Sequence, residues 1–511
     1  MRILFITLSF FLLLALSNCK KISGDPVAPS KEETALRSLA DSIEVKLSKL
    51  EGTFAVQFSS IDRPELEFSI HPDTVFHAAS TMKTPVLFEI LKQHDLGTFL
   101  LSDSLLVTNR FTSIVDRSPY GMQISEDSEA DLYAYLGKKK TVLELAELMI
   151  TQSSNLATNL LMERYKGDLV TNSMRLIGAE HIQVLRGVED LKAFSAGRNN
   201  ETTARDLWIL FNELTAGSTL SKSSKNLALD ILSRQEFNDM FPAKLPIGTR
   251  VEHKTGWITG VHHDSGIIHL PNGETFILIF LSKNAPNRSL VQEAAADIAR
   301  MLYDYLLAYP DWDLELKKAG LVQIEEMDST IMVHLAYSST DNILGYDAYG
   351  SLEHAYLQKE AAQKLVLAQS LLTQVHPEYR LFVFDAARPR RIQQELWDHS
   401  DLPIAERSRY IANPQNGSIH NFGMAVDVGV YDIRSGLLDM GTEFDDFSQV
   451  SHINREDSLV ENGYLSEAQL AHRILLRDIM VKAGFEPLDT EWWHFDAMER
   501  SRTKELFSII E

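Results

Sequence analysis

The stretch GIIHLPNGETFILIFLS, residues 266–282, decides the fold of the first part of the chain. Two apolar runs flank a Pro-Asn-Gly sequence, and this pattern predicts a β-hairpin. A helical pattern, EAAADIARMLYDYLLAY, follows at residues 293–309. Near Thr34 another helical pattern begins, and the strand-like runs TFAVQFSS and ELEFSI come after it. We therefore expect an α/β sandwich whose sheet is built from both ends of a domain that closes near residue 310.

A second pattern begins after YPDWDLELKKAGL, residues 309–321, which reads as a connector. It contains a long helical run (352–375), the strand-like runs LFVFDA and HNFGMAVDVGVY, another helical run (468–484) and the strand-like EWWHF. No internal repeat links the two halves. The prediction is two different domains, an α/β sandwich over 34–310 and an α+β domain over 325–511, joined by a linker over 311–324.

Composition limits the partners of the chain. A length of 511 residues favours two or three domains. There are 71 acidic and 49 basic residues, giving a formal charge of −22, which argues against nucleic-acid binding because that depends on clustered Lys and Arg. Cys19 is the only cysteine, so neither an intramolecular disulfide nor a thiolate metal site can form.

The first residues have the pattern of an export signal. Met1 and Arg2 precede the apolar run ILFITLSFFLLLAL and then LSNC at 16–19, a run too short for a comfortable membrane span. Cys19 in this position resembles the lipobox of bacterial lipoproteins, although Asn18 departs from the usual small residue. The resemblance implies a signal peptide over 1–18, lipidation of Cys19, a tether over 19–33 and an extracytoplasmic, membrane-anchored protein. The alternatives are an uncleaved anchor and a free, structural cysteine.

Two motifs in the second domain predict a metal site. SIHNFGMAVD, residues 418–427, supplies His420 and Asp427, and DTEWWHFDA, residues 489–497, supplies Glu491 and His494. Catalytic zinc typically takes three protein ligands and leaves one position for water. His420, Asp427 and His494 supply that set, and Glu491 remains to accept a proton from the attacking water. Residues three apart on a strand point to opposite faces, so Glu491 and His494 need a local twist or bulge to share one site.

SxHxxGxAxD followed by ExxH, together with ARP at 387–389, resembles the D-alanyl-D-alanine dipeptidase family of zinc peptidases over about residues 325–500. The resemblance implies hydrolysis of the dipeptide D-Ala-D-Ala to D-alanine in cell-wall turnover, with one Zn²⁺ per chain. It implies the roles of ligands for His420, Asp427 and His494, catalytic base for Glu491, oxyanion stabilisation for Arg388, and substrate binding for Ser418 and for Asp446, which we prefer to Asp445.

Three further motifs lie in the first domain. Ser80 and Lys83 stand three apart in AASTMKT, residues 78–84, at the start of a helical run. That spacing places both side chains on one helix face, where the ammonium group lowers the cost of forming the serine alkoxide. SSN at 153–155 and HKTG at 253–256 follow in the chain.

The three motifs in this order resemble the serine β-lactamase and penicillin-binding protein superfamily, closest to class A, over about residues 35–310. The resemblance implies Ser80 as nucleophile, Lys83 as its activating partner, Ser153 and Asn155 for proton relay and substrate, and Lys254 and Thr255 for the substrate carboxylate. β-Lactams or peptidoglycan stem peptides are the implied ligands.

Glu189, in LRGVEDLKAF, is the candidate base for deacylation. Ala193 stands near the place where the family usually has an asparagine. We therefore expect acylation with slow or absent β-lactam turnover. Two alternatives to the dipeptidase hypothesis stay open: a penicillin-binding sensor with a structural zinc ion, and a true β-lactamase.

Overall fold

The computed structural model of the chain describes residues 31–399, 407 and 411–511. The predicted signal peptide, Cys19 and most of the predicted tether lie outside the described residues. Within those ranges, none of the helices combines the length and apolarity that a membrane span requires.

The first domain is built on a five-stranded antiparallel sheet. Its strands run in the order β2-β1-β11-β10-β9, so the first two strands pair with the last three, as the sequence predicts. Three two-stranded ribbons, β3 with β8, β4 with β7 and β5 with β6, complete the strands of this domain. The bounds are β1 Thr53–Ser60, β2 Glu67–Ile70, β3 Phe76–His77, β4 Ser104–Leu106, β5 Phe111–Thr112, β6 Pro119–Tyr120, β7 Lys139–Thr141, β8 Glu201–Thr202, β9 Val251–Ile258, β10 Val261–His269 and β11 Thr275–Lys283.

Both faces of this sheet are covered, which explains the unbroken apolar run in β11. Side chains alternate along a strand. Phe276, Leu278 and Phe280 join a core cluster with the first and last helices of the domain. Ile277, Ile279 and Leu281 join a second cluster on the opposite face, among the helices between β2 and β9. The hairpin turn uses Gly273, whose φ of 92° is accessible to glycine at little cost.

The helices of the first domain cover the two faces of the sheet. α3 begins with a capping box in which Thr141 and Glu144 exchange hydrogen bonds, and Asn287 caps α9 through the backbone N–H of Leu290. The α-helices are α1 Lys31–Ser48, α2 Lys83–Asp95, α3 Val142–Thr151, α4 Asn155–Tyr165, α5 Gly167–Leu176, α6 Leu191–Ser195, α7 Ala204–Thr215, α8 Lys222–Ser233 and α9 Arg288–Ala308, and the 3₁₀ helices are Ala79–Met82, Ile124–Glu126, Asp131–Tyr135 and Phe241–Lys244.

The second domain is an α+β domain around a mixed sheet in the order β13-β15-β16-β19-β18, with β17 paired to β16. Only β13 and β15 run parallel. Its strands are β12 Val322–Gln323, β13 Met332–Val333, β14 Tyr356–Leu357, β15 Tyr379–Asp385, β16 Ala425–Asp432, β17 Gly436–Leu437, β18 Glu486–Leu488 and β19 Glu491–Asp496. Its helices are α10 Trp312–Lys318, α11 Ile324–Met327, α12 Lys359–Val375, α13 Arg390–His399, α14 Glu456–Glu461, α15 Glu467–Lys482 and α16 Arg500–Leu506, and the 3₁₀ helices are Ala336–Ser338, Ile419–Phe422, Gln449–Ser451 and Ile453–Arg455.

Two segments differ from the expected secondary structure. The predicted linker contains α10, whose Trp312 and Leu316 are buried in the core of the second domain. The helix predicted from residue 352 starts only at Lys359, because Tyr356 and Leu357 pair with β12 as the strand β14. Tertiary contacts therefore decide the conformation of both segments.

Candidate active sites

His420, Asp427 and His494 come from separate segments and meet in the second domain. His420 lies in the 3₁₀ helix Ile419–Phe422, and Asp427 on β16 is paired directly with His494 on β19. His494 Nδ1 is 3.0 Å from Asp427 Oδ1 and 3.1 Å from His420 Nε2, and His420 Nε2 is 3.3 Å from Asp427 Oδ1. All three side chains are buried. One ligand atom from each residue thus faces a common point.

The outer hydrogen bonds of the two imidazoles define their tautomers. His420 Nδ1 lies 2.7 Å from the carbonyl oxygen of Ala386, which only accepts, so Nδ1–H donates and Nε2 presents a lone pair inward. In the same way His494 Nε2–H donates to Asp496 Oδ1 at 2.9 Å, leaving the lone pair of Nδ1 facing inward. In these tautomers two nitrogen lone pairs and a carboxylate oxygen converge on one point. Such an arrangement suits a cation, either a metal ion or a proton.

The local charges favour the same conclusion. Burial opposes the charged form of His494, yet Asp496 and Asp427 hold its pKa well above the usual range. This pocket therefore stabilises positive charge strongly. Two imidazole nitrogens and one carboxylate oxygen are the donor set of a catalytic zinc site that leaves a position for water. The residues present fit zinc.

Glu491 lies beside this trio without being part of it. Its Oε2 is 3.9 Å from His494 Nδ1. The register of β18 with β19 shifts, with Pro487 opposite Phe495 but Leu488 opposite Glu491, and this bulge turns Glu491 and His494 toward one site. Burial raises the pKa of the Glu491 carboxyl to about 8. A carboxyl with a raised pKa next to the ligands is suited to proton transfer.

Arg388 is held in the same region by two side chains. Its Nε donates to Asp385 Oδ2 at 2.7 Å, and its Nη2 lies 2.5 Å from the same oxygen. Its Nη1 donates to Gln393 Oε1 at 2.9 Å. The guanidinium is 3.6 Å from Asp427 Oδ2 and stacks 5.1 Å from the centre of the Tyr337 ring. Arg388 is therefore a fixed positive charge at the edge of the ligand trio.

A cavity of about 320 Å³ opens onto these residues. Ser418 lies on its wall, and its backbone N–H donates to Asn421 Oδ1 at 2.7 Å. Asp445 also lines the cavity, whereas Asp446, preferred from the sequence, caps the backbone N–H of Ser448 at 2.7 Å. The structure thus puts the other acid of the pair on the cavity wall.

The candidate serine site lies in the first domain, where two buried lysines share one serine. Lys83 Nζ donates to Ser153 Oγ at 3.1 Å, to Ser153 O at 2.6 Å and to Asn155 Oδ1 at 3.0 Å. Lys254 Nζ donates to the same Ser153 Oγ at 3.1 Å and to Thr255 O at 2.9 Å. Burial lowers the pKa of Lys83 to about 7, and burial together with Lys83 lowers that of Lys254 well below its usual range.

Ser80 lies in the 3₁₀ helix Ala79–Met82, directly before Lys83 at the start of α2. Strand β9 passes very close to it, since a β-carbon added at Gly256 would lie 3.0 Å from Ser80 N and 2.9 Å from Thr81 N. Only glycine permits this approach. Thr255 on β9 therefore stands next to the segment that carries Ser80.

Glu189 also reaches the serine site. Asn155 Nδ2 donates to Glu189 Oε1 at 3.4 Å, and burial raises the pKa of Glu189. Ala193 is fully buried in α6 and offers no polar group there.

Strained backbone marks both sites. Of the eight non-glycine residues with positive φ in the described part of the chain, three adjoin the serine site and one lies on the wall of the metal-site cavity. These are Ala79 (φ 45°), Ser153 (56°), Glu189 (61°) and Asp445 (62°). Such conformations cost about 1–3 kcal/mol each and cluster at functional sites.

Comparisons with known proteins agree with this division. The model of the "Beta-lactamase enzyme family" matches residues 38–306, more than half of the chain. The chain belongs to the beta-lactamase enzyme family. The second domain of this family member matches the model described as "D-ala-D-ala dipeptidase" over residues 317–510.

Individual relatives resemble one domain or the other. The D-alanyl-D-alanine dipeptidase of Escherichia coli (strain K12) is 29% identical over 195 residues, covering 38% of this chain and 83% of that protein. The beta-lactamase of Streptomyces albus G is 27% identical over 240 residues, covering 46% of this chain and 74% of that protein. A solved structure of PBP-A has 27% identity and a TM-score of 0.46, covering 55% of this chain and 100% of that one. This beta-lactamase family member thus carries a beta-lactamase-like domain fused to a D-Ala-D-Ala dipeptidase domain.

Three supporting acids were missed from the sequence, and a fourth, Asp445, was considered there but ranked below Asp446. Asp385 holds Arg388, Asp496 accepts from His494, and Asp127 accepts from the backbone N–H groups of Asn155 and Leu156 at 2.8 Å. Asp445, the fourth, accepts from the Tyr337 hydroxyl at 2.6 Å. The one available signal was spacing, since Asp385 precedes Arg388 by three residues and Asp496 follows His494 by two.

Proposed function

We propose that the second domain is a zinc-dependent dipeptidase that hydrolyses D-Ala-D-Ala to D-alanine. The observation that carries this proposal is the convergence of His420, Asp427 and His494 at 3.0–3.3 Å, with both imidazole lone pairs turned inward. Zinc held by these side chains would supply a Lewis acid and lower the pKa of the attacking water.

Glu491 acts as the general base in this proposal. A carboxylate takes a proton from the attacking water and then gives it to the leaving amine. Burial raises the pKa of Glu491 to about 8, and the charge of a bound zinc ion would lower it again, so that the carboxylate form is available to accept the proton. Arg388 stabilises the negative charge that develops on the carbonyl oxygen, because Asp385 and Gln393 hold its guanidinium in place before the substrate arrives.

Asp445 binds the free ammonium group of the dipeptide. The support for this role is its position on the cavity wall, where the Tyr337 hydroxyl fixes one of its oxygens. Burial raises the pKa of Asp445 to about 7, so an ammonium group beside it would favour the charged form. A longer peptide has no free amine at this position, which would restrict the domain to dipeptides. Ser418 is the second polar group for substrate.

The first domain is acylated on Ser80 by β-lactams or peptidoglycan stem peptides. A lysine with a pKa of about 7 is a competent base near neutrality, and Lys83 and Ser153 together form a path for the serine proton. Lys254 and Thr255 on β9 would bind the substrate carboxylate. Because Ala193 offers no polar side chain beside Glu189, we infer that the acyl-enzyme hydrolyses slowly.

A penicillin-binding sensor is the second candidate for this domain, and the buried Ala193 favours it over a true β-lactamase. Labelling of the full chain by a fluorescent penicillin, lost in Ser80→Ala, would establish acylation. Rapid hydrolysis of a chromogenic cephalosporin would contradict slow turnover and make the domain a true β-lactamase.

We also propose that the protein is a lipoprotein anchored outside the cytoplasm and active in cell-wall turnover. The support is the sequence pattern before Cys19 and the common substrate class of the two domains. Incorporation of a labelled fatty acid that persists in Cys19→Ala would contradict lipidation at this residue.

The central experiment measures zinc content and D-alanine release together on the purified full chain. We expect about one zinc ion per chain and release of two D-alanines per dipeptide. Failure of the zinc-loaded protein to release D-alanine, while an unrelated dipeptidase does so in the same assay, would refute the dipeptidase proposal.

A further inference from the structure

Arg500 is a second guanidinium in the cavity of the metal site. It is the first residue of α16, and together with Arg388 it lines the same space as the ligand trio. Its terminal nitrogen donates to the carbonyl oxygen of Gly417 at 2.7 Å. Gly417 directly precedes Ser418, so this bond joins Arg500 to the segment that carries the predicted substrate-binding serine.

The two arginines differ in how their charge is balanced. Arg388 is paired with the Asp385 carboxylate through two nitrogens and with Gln393 through a third. Arg500 is held by a backbone carbonyl in the described part of the chain, and this bond uses one of its five N–H groups. Arg500 therefore brings positive charge and spare donors to the cavity, whereas the charge of Arg388 is already matched.

The dimensions suit a dipeptide with both ends charged. Two residues span at most about 7 Å when extended, so the ammonium and the carboxylate of a dipeptide fall within one cavity of about 320 Å³. Asp445 provides a negative group on the wall of this cavity. A cation complements the carboxylate well, and guanidinium pairs with carboxylate in a forked geometry.

We propose that Arg500 binds the C-terminal carboxylate of the dipeptide, with Ser418 beside it, and so makes the second domain selective for a free C-terminus. This inference rests on the dipeptidase proposal and adds to it the side chain that binds the C-terminal carboxylate of the substrate. D-Ala-D-Ala amides and esters are then poor substrates.

The experiment compares two substrates with three variants. Rates on D-Ala-D-Ala and on D-alanyl-D-alaninamide are measured with the zinc-loaded full chain, with Arg500→Gln, with Arg500→Lys and with Arg502→Gln as the matched control. Arg502 lies on the same helix and outside the cavity lining. We expect Arg500→Gln to lower kcat/KM for the acid roughly 10- to 100-fold, mainly through KM, while its rate on the amide matches that of the unaltered chain. Arg500→Lys should recover part of the loss, and Arg502→Gln should behave as the unaltered chain on both substrates.

Several outcomes would overturn the inference. Equal losses of rate on the acid and on the amide in Arg500→Gln would mean that Arg500 only holds the Gly417 segment in place. An unchanged rate on the acid would mean that Arg500 takes no part in substrate binding. If the amide is not turned over at all, calorimetric binding of both compounds to zinc-loaded Glu491→Gln, with and without Arg500→Gln, tests the same difference. The dipeptidase proposal fails separately, because it is refuted only if the unaltered zinc-loaded chain releases no D-alanine.

Discussion

The two candidate sites obtain the positive charge of their chemistry in opposite ways. In the first domain, Lys83 and Lys254 are fully buried and both donate to Ser153 Oγ, so the groups that can carry positive charge belong to the chain. In the second domain, the outer hydrogen bonds of His420 and His494 leave one lone pair of each imidazole facing Asp427, an arrangement that suits a metal ion taken from outside the chain. Activity of the first site should therefore depend on proton concentration, and that of the second on metal supply.

Metal removal is the strongest way to separate the two sites. We expect chelation to abolish D-alanine release, since the three ligand side chains would lose the ion that joins them, while fluorescent penicillin labelling of Ser80 continues. His494→Ala should have the same effect, with loss of bound zinc and at least about a thousandfold loss of dipeptidase activity. Metal analysis and both assays on the same preparation provide the measurement.

Readdition of zinc should restore the chelated protein and leave His494→Ala inactive. Loss of penicillin labelling on chelation would contradict the claim that only the second site depends on metal, because the two sites would then depend on one shared structural element.

Glu491→Gln tests whether the residue beside the ligands is a base or a fourth ligand. We expect zinc content to remain and kcat to fall about 10²- to 10⁴-fold, because the amide cannot accept the proton. The measurement is zinc stoichiometry together with steady-state rates. Zinc loss as large as in His494→Ala would assign Glu491 to coordination instead.

The adjacent acids Asp445 and Asp446 allow a matched test of substrate binding. Asp445→Asn should raise KM for the dipeptide about 10- to 100-fold, since a buried charge partner of the ammonium is lost. Asp446→Asn should leave KM within about twofold, because Asp446 caps Ser448 outside the cavity. Steady-state kinetics decide between them, and the reverse order of effects would support the choice made from the sequence.

The sequence could predict the residues whose chemistry is local to a motif. His420 and Asp427 are contained in one ten-residue stretch, and Glu491 with His494 in another, so residue type and spacing were enough to propose a metal site. The two apolar runs and the Pro-Asn-Gly sequence between them likewise predicted the hairpin, and the sandwich fold of the first domain is confirmed.

The features that the sequence did not predict depend on backbone conformation and on contacts between distant residues. Asp445 and Asp446 are chemically identical neighbours, and only the left-handed backbone of Asp445 and its bond from Tyr337 place one of them in the cavity. Tyr337 is more than a hundred residues away along the chain. The strand β14 was hidden within a helical pattern, because pairing with β12 outweighs local preference there.

The pH dependence of acylation is the smallest effect and tests the buried lysine directly. Burial lowers the pKa of Lys83 to about 7, although Asp127 and Glu189 oppose this shift. Only the neutral amine can accept the Ser80 proton, and it becomes populated as pH rises through this value. We expect the rate of penicillin labelling to rise about fivefold from pH 6 to pH 7, to reach about ten times the pH 6 rate at pH 8, and to level off above that pH. Stopped labelling reactions between pH 5.5 and 9 measure this profile, with D-alanine release as an independent check that the protein stays folded.

Lys83→Arg is the matched variant for this profile, because arginine keeps the positive charge but does not release its proton in this range. It should lose the pH-dependent plateau and most of the labelling. A flat profile in the unaltered chain, or a rate that rises only above pH 9, would mean that Lys83 remains charged in the site. The Ser80 proton would then need another acceptor, and Glu189, whose carboxylate lies 3.4 Å from Asn155, would be the group to test next.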